Sequence, residues 1–554
     1  MKLNLILLAS ITILSSTLIG QDPGWHLNKA DISGSIGISA DNMYETLLKG
    51  KPSQTVVVAV IDSGVDIKHE DLKNNVWVNP GEIPENNIDD DNNGYVDDVN
   101  GWNFIGGKKG NVNYDTYEAT RLYKKFKYKF KDADPSKLSK ADKKDYELYQ
   151  KVKSEVDKKL ASAEMNLQNV MNMESMVMKA IDAIEEIVGD EEITLEQLQE
   201  LETKDNQELA MAKNMMLDQI SRGEELGTVE EMRTEAEAQM KDYKDYYGGQ
   251  VKYAYNLDFD PRHLVGDDYS DGDQRFYGNN DVDGPDSKHG THVAGIIGAV
   301  RDNTIGMDGV ADNVRIMSIR TVPNGDERDK DVANAIRYAV DNGASVVNMS
   351  FGKGYSWDEK LVEDAIKYAE KNDVLLVHAA GNSAQDNDST DNFPNDEYKG
   401  KGFLFFKGKN KAYKNWIEVG ALNFENGENL SATFSNYGED NVDLFAPGVM
   451  IYSTTPDDTY EPLQGTSMAA PVVAGVATVL RSYFPSLTAV QIKNILMASV
   501  VKTDQKVILP GTKDELVSFS KLSVAGGVVN AEKAIKLAEM TKGKKKVSKS
   551  PPKA

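Results

Sequence analysis

Gly465-Thr466-Ser467-Met468-Ala469-Ala470-Pro471 opens a run of small apolar residues that continues to Phe484. The run reads as a buried helix with Pro471 in its first turn, where a missing backbone N–H costs nothing. The first turn of a helix leaves its N–H groups free, at the positive end of the helix dipole. A serine there has surroundings that favour an anion forming beside its hydroxyl. Gly-Thr-Ser ahead of a helix is also an ordinary N-cap. A serine hydroxyl is a poor nucleophile without a base, so the reading turns on whether partners stand elsewhere in the chain.

Residues 55–61, Thr-Val-Val-Val-Ala-Val-Ile, form an unbroken β-branched run that reads as a buried parallel strand. It ends at Asp62-Ser63-Gly64, which puts a carboxylate at the C-terminal end of a strand, where α/β sheets place their sites. Downstream, His289-Gly290-Thr291-His292-Val293-Ala294-Gly295 holds two of the six histidines. His289 stands at the mouth of a small-residue helix; His292, a turn deeper, reads as a structural histidine. A fourth element, Ala379-Ala380-Gly381-Asn382, follows the strand-like 374–377 and presents a side-chain amide able to donate to an oxyanion.

In these four motifs and their order, Asp, His, Asn, Ser, the chain resembles the subtilisin-like serine proteases; chymotrypsin-like and α/β-hydrolase enzymes use other orders. Asp62 matches the family's Asp-Ser/Thr-Gly aspartate, His289 its His-Gly-Thr-His histidine, Asn382 its oxyanion asparagine and Ser467 its Gly-Thr-Ser-Met-Ala nucleophile. The resemblance covers roughly 55–112 and 256–500. It implies a three-layer α/β fold with a mostly parallel central sheet, and a secreted serine endopeptidase acting on protein or peptide substrates. It also makes Ser350, Phe351 and Gly352, with Ala380 and Gly381, the walls of the pocket for the residue before the scissile bond, paired with an extended substrate by β-augmentation. A silent binding protein on the same fold is the competing class. A carboxyl-serine peptidase is a third, and it would need acids where His289 and Asn382 stand.

Calcium is the expected cofactor. Between Ile88 and Asp98, Asp89, Asp91 and Asn93 carry oxygens at alternate positions, Gly94 is sixth, Tyr95 offers its carbonyl and Asp97 a further carboxylate. That spacing resembles EF-hand-type calcium loops. Asn100 stands where a bidentate glutamate is expected, so Asp97 or Asp98 completes the shell. An acidic turn is the alternative, although so many neighbouring carboxylates repel one another without a cation. The resemblance implies a second site at Asp71 and Asn303, because His69-Glu70-Asp71-Leu72 is similar to the family's His-Pro-Asp-Leu. The acidic stretch 267–286 ahead of His289 reads as a third metal site, a cleft rim attracting basic substrates, or a solvated loop.

Residues 1–20 read as a signal peptide, with an uncleaved anchor as the alternative, and place the protein in a secreted or periplasmic setting without an integral span after cleavage. The 554 residues contain no cysteine, so neither a disulfide nor a cysteine nucleophile is available, and the net charge of −25 argues against nucleic acid as a partner. A short segment, 21–54, precedes the peptidase domain, expected over 55–112 and 249–540; its Trp25 is expected on the domain surface. Residues 113–248 interrupt that domain with one proline and ten of the nineteen methionines. They read as an inserted helical hairpin or bundle with helices at 151–188, 195–220 and 228–247, and Met165, Met171, Met178, Met211 and Met215 in its core. A gating or partner-binding role suits it, as does that of an internal chaperone or inhibitor. Residues 541–554 read as a basic, disordered tail.

Overall fold

Val56–Asp62 (β1) is apolar on both faces because both faces of its sheet are covered. The computed structural model describes residues 22–29, 36–189, 194–203, 207–221, 227–399 and 410–545. With β1 run Gly101–Asn103 (β2), Val314–Arg320 (β3), Val346–Met349 (β4), Leu375–Ala379 (β5), Trp416–Leu422 (β6) and Leu444–Pro447 (β7). A hairpin follows, Ile451–Thr455 (β8) with Thr459–Leu463 (β9), then Val501–Lys502 (β10) and Gly527–Val528 (β11). The main sheet has nine strands in the order β10-β11-β7-β6-β5-β4-β1-β3-β2. All pairings are parallel except β10 with β11.

The chain divides into two compact units, one built on Ala119–Phe259. Its helices are Glu118–Phe130 (α1), Lys140–Val188 (α2), Leu195–Glu200 (α3), Gln207–Ser221 (α4) and Val229–Gly249 (α5). Helix α2 starts well ahead of 151, its first turn capped by Ser139, whose hydroxyl accepts from Asp142 N. The expected single helix over 195–220 is two helices, α3 and α4. Val170, Met173 and Met240 make one buried cluster between α2 and α5, and Ile181, Ile184, Leu198 and Met216 belong to another. Met178 packs against the second cluster, whereas Met165 and Met171 are exposed, because the helical period turns them away from the Val170–Met173 stripe. The side chains of Met211 and Met215 lie outside the described residues.

In the other unit, Lys288–Gly298 (α6), Thr466–Tyr483 (α9), Ala489–Ala498 (α10) and Ala531–Met540 (α11) share a core with the β1 face bearing Val58 and Val60. Asp329–Asp341 (α7) and Glu359–Lys371 (α8) cover the face bearing Ala59 and Ile61. The alternation of β1 side chains thus feeds two cores, which is the three-layer arrangement. A Thr488–Gln491 capping box starts α10 and contributes about 1 kcal/mol. Trp25, expected to pack on the domain surface, is fully buried as part of the first core, with its indole N–H donating to Met450 O at 3.2 Å. Of the expected tail, 541–545 is tied down: Lys545 N donates to Ser486 O, and Gln491 bonds the backbone of Lys542 and Lys544. Residues 546–554 and the expected signal peptide lie outside the described residues.

Candidate active site

Asp62 closes β1, and its buried carboxylate accepts from two directions through one oxygen. Oδ1 takes Ser63 N at 2.7 Å and His289 Nδ1 at 2.7 Å. Its buried Oδ2 has no hydrogen-bond partner among the described residues. His289 lies in the first turn of α6, next to a glycine with a strict steric reason. A Cβ on Gly290 would stand 2.1 Å from Gly64 O, so only glycine lets the helix start reach the strand end. Desolvation pulls the His289 pKa down, but the charge and hydrogen bond of Asp62, helped by Asp286, outweigh it and leave it above the ordinary histidine value. Its ring keeps 39% of its surface exposed against 1% for Asp62, so one edge of the pair faces solvent. His292, on the same helix, is fully buried with Nε2 on Glu461 O at 3.0 Å; desolvation drives its pKa to about 3, as suits a neutral structural anchor.

Helix α9 begins at Thr466, so Pro471 is its sixth residue and not in its first turn as the sequence reading expects. A proline at that depth removes the N–H that would bond the carbonyl of Ser467, four residues back. That carbonyl accepts the Ser350 hydroxyl at 2.8 Å instead, while Ser467 Oγ donates to Ser350 O at 3.0 Å. Ser350 Oγ is itself fixed by Asn348 Nδ2 at 2.9 Å. Helices α6 and α9 pack on each other, but the Ser467 hydroxyl is turned to Ser350 and makes no hydrogen bond to His289.

Asn382 is held by Thr466. Its Oδ1 accepts Thr466 N at 2.8 Å and Thr466 Oγ1 at 2.9 Å, and the threonine oxygen accepts Gly381 N at 3.1 Å. With the amide oxygen so engaged, Nδ2 faces the other way. Gly465 marks where: a Cβ there would lie 3.3 Å from Asn382 Nδ2 and 3.5 Å from Ser467 N. Two donors therefore border one small space beside Ser467. Gly465 has φ 154° and ψ 163°, a conformation nearly restricted to glycine, and leaves that space open.

Matching this geometry, the model of the Subtilase family aligns with residues 53–521. The chain belongs to the subtilase family. This subtilase is 37% identical to subtilisin DY of Bacillus licheniformis over 213 residues, 38% of this chain and 69% of the relative. It is 39% identical to the thermophilic serine proteinase of Bacillus sp. strain AK1 over 227 residues, 41% of this chain but only 48% of that protein. Thermitase of Thermoactinomyces vulgaris is 35% identical over 261 residues, covering 47% and 79%. The chain is accordingly a serine-type endopeptidase by family. Among the described residues no helix is long and apolar enough to cross a membrane.

The remaining expected site residues fall as follows. Ser350, Phe351 and Gly352 leave the end of β4, Ala380 and Gly381 the end of neighbouring β5. In the acidic loop, Asp91 offers an oxygen within 4.8 Å of oxygens from Glu82 and Asp98. Glu82 lies outside the calcium-loop spacing, and no signal in the sequence points to it. Asp89 accepts from Asn93 N and Gly94 N, Asn93 Oδ1 from Tyr95 N, and Asp97 from Asn86 N and Asn87 N. Burial pushes the Asp98 pKa up to about 6, against hydrogen bonds from Tyr338, Asn93 and Asn79. Asp71 and Asn303 meet at 2.6 Å, but through the amide nitrogen; Asn303 Oδ1 accepts Ile305 N.

Proposed function

We propose that the chain cleaves peptide bonds by attack of Ser467 Oγ on the carbonyl carbon, with His289 as the base and Asp62 as its orienting partner. The Ser467 hydroxyl leaves Ser350 O, gives its proton to the free Nε2 of His289, and forms the acyl bond. His289 then passes the proton to the departing amine. Asp62 accepts the Nδ1–H, which fixes the tautomer with the lone pair on Nε2, and stabilises the imidazolium. Asn382 Nδ2 and Ser467 N bind the oxyanion. The observation that carries the reading is the convergence of these two donors on the space left open by Gly465, one residue from the nucleophile. The Ser467 hydroxyl bonds Ser350 O in the absence of substrate, and a serine–imidazole bond of this kind is one that forms or tightens in the complex. The substrate would run along Ser350–Gly352 and Ala380–Gly381.

Export by the segment 1–20 agrees with the absence of cysteine and with this activity. Calcium suits Glu82, Asp91 and Asp98: three clustered carboxylates, two of them buried and one of these, Asp98, resistant to ionisation, are the hard oxygen donors such an ion takes. The Asp71–Asn303 pair, with a nitrogen facing the carboxylate, supplies a weaker case.

The test is a pair of substitutions. Ser467→Ala should abolish peptide hydrolysis and fluorophosphonate labelling. Asn382→Ala should keep labelling and retain a residue of turnover, down about 10²–10³-fold, the loss known for this asparagine in a family member. Equal hydrolysis by wild type and Ser467→Ala removes the assignment.

A further inference from the structure

Beyond their strands, 350–353 and 379–382 separate, and a third segment closes the gap between them. Lys353 and Phe393 exchange backbone hydrogen bonds at 2.9 and 2.8 Å on one side. On the other, Asn392 Nδ2 donates to Ala380 O at 3.1 Å. The crevice therefore has its mouth at Ser467, its walls at Phe351–Gly352 and Ala380–Gly381, and Asn392 at its base.

The orientation of that amide is determined. Nδ2 faces three acceptors, Ala380 O, Ala379 O at 3.5 Å and Glu418 Oε1 at 3.4 Å. Oδ1 must point away from them, toward the opposite wall: a Cβ on Gly352 would stand 2.8 Å from it. Among the described residues none donates a hydrogen bond to Asn392 Oδ1, and Gly352 is exposed. Behind the amide sits Glu418, only 6% exposed, its Oε2 taking His378 Nδ1 and Trp416 Nε1 at 2.9 Å each. An unfilled acceptor at the end of a crevice, backed by a buried carboxylate in a chain of net charge −25, suits a donor that carries positive charge.

We infer that Asn392, held in orientation by Glu418, makes this pocket select a basic side chain, lysine foremost, immediately before the scissile bond. The inference rests on the serine-peptidase reading above and adds the substrate class. A neutral isostere such as norleucine fills the same volume but leaves Asn392 Oδ1 dry and unpaired, which is where the discrimination arises.

The experiment uses the full chain and tetrapeptide nitroanilides that differ only in the last residue: lysine, norleucine or glutamate. Wild type should favour lysine over norleucine in kcat/KM by about tenfold or more, the scale of one hydrogen bond to a charged group, and reject glutamate. Asn392→Leu should bring the lysine-to-norleucine ratio to about one. Glu418→Gln, which can donate to the Asn392 oxygen and turn the amide round, should reduce it. Fluorophosphonate labelling of Ser467 reports whether each variant is folded. Where Asn392→Leu fails to label, Glu418→Gln decides, because it keeps the shape of the site and should still lower the ratio. A wild-type preference for norleucine, a ratio that survives Asn392→Leu, or, where that variant does not label, one that Glu418→Gln leaves unchanged overturns the inference. Absence of both labelling and hydrolysis in wild type would instead strike the peptidase reading.

Discussion

Asp62 presents a single oxygen to both Ser63 N and His289 Nδ1, and that sharing makes the aspartate an orienting group as well as a charge. Asp62→Asn keeps the shape but offers an amide, which reverses the tautomer that leaves His289 Nε2 as acceptor. Turnover should fall about 10⁴-fold, as in the equivalent triad substitution. The pH profile carries a sign as well. The base proposed, His289, can act only when neutral, and Asp62 holds its pKa above the ordinary value, so in wild type kcat/KM should climb through a pKa higher than that of free histidine. In Asp62→Asn the acid limb of the profile should move to lower pH. A limb at unchanged pH would mean that Asp62 does not tune the imidazole.

Between Ser350 and helix α9 the exchange of two hydrogen bonds depends on a proline. Pro471 cannot donate to Ser467 O, and the Ser350 hydroxyl takes the vacancy. Removing that hydroxyl leaves a poorly hydrated carbonyl unpaired, so Ser350→Ala should lower stability by about 1–3 kcal/mol. In a Pro471→Ala background the helix supplies its own N–H, and the further cost of Ser350→Ala should shrink. Equal costs of Ser350→Ala in the two backgrounds, measured by denaturant unfolding, would show that Pro471 and Ser350 are not coupled. The motif residues of this helix were legible from sequence, whereas the depth of Pro471 was not, because helix starts depend on where the chain can turn. Gly465, in its unusual conformation, places that turn one residue before Thr466.

Taken whole, the molecule must hold Glu82, Asp91 and Asp98 close together without disulfides. Burial raises Asp98 from the ordinary 3.8 to about 6, so folding favours its protonated form. In metal-free protein its contribution to stability is therefore present below pH 3.8 and lost as pH rises through about 6. A bound cation replaces the proton, so calcium should raise the melting temperature more at pH 7 than at pH 4.5. No calcium response at either pH would dismiss the cluster as a cation site. The insertion can be tested at the same scale. Arg328 bonds Asp115 at 2.7 and 2.9 Å and Asp260 at 3.3 Å, which brings the two flanks of the insertion to one guanidinium. A short linker replacing 119–259 should leave peptide cleavage intact and increase cleavage of a folded protein if the insertion restricts access. Unchanged rates on both substrates would reject the gating role.

Where a side chain's role follows from residue type and local order, the chain was readable. Asp62 closes an unbroken β-branched run, His289 opens a small-residue helix, and Asn382 follows a strand. Strand β3 was harder: Arg315, Ser318 and Arg320 break its apolar pattern, and only the fold explains the burial of Arg320, which donates to Ser63 O and Val112 O. Glu82, Thr466, Asn392 and Glu418 likewise acquire their roles from neighbours distant in sequence. Sequence by itself determined the periodicities, which record burial, and the motifs, which record chemistry at element ends. Only the tertiary structure decided which amide faces which carbonyl and which carboxylates share a space, because those depend on close approach between segments that local pattern does not encode.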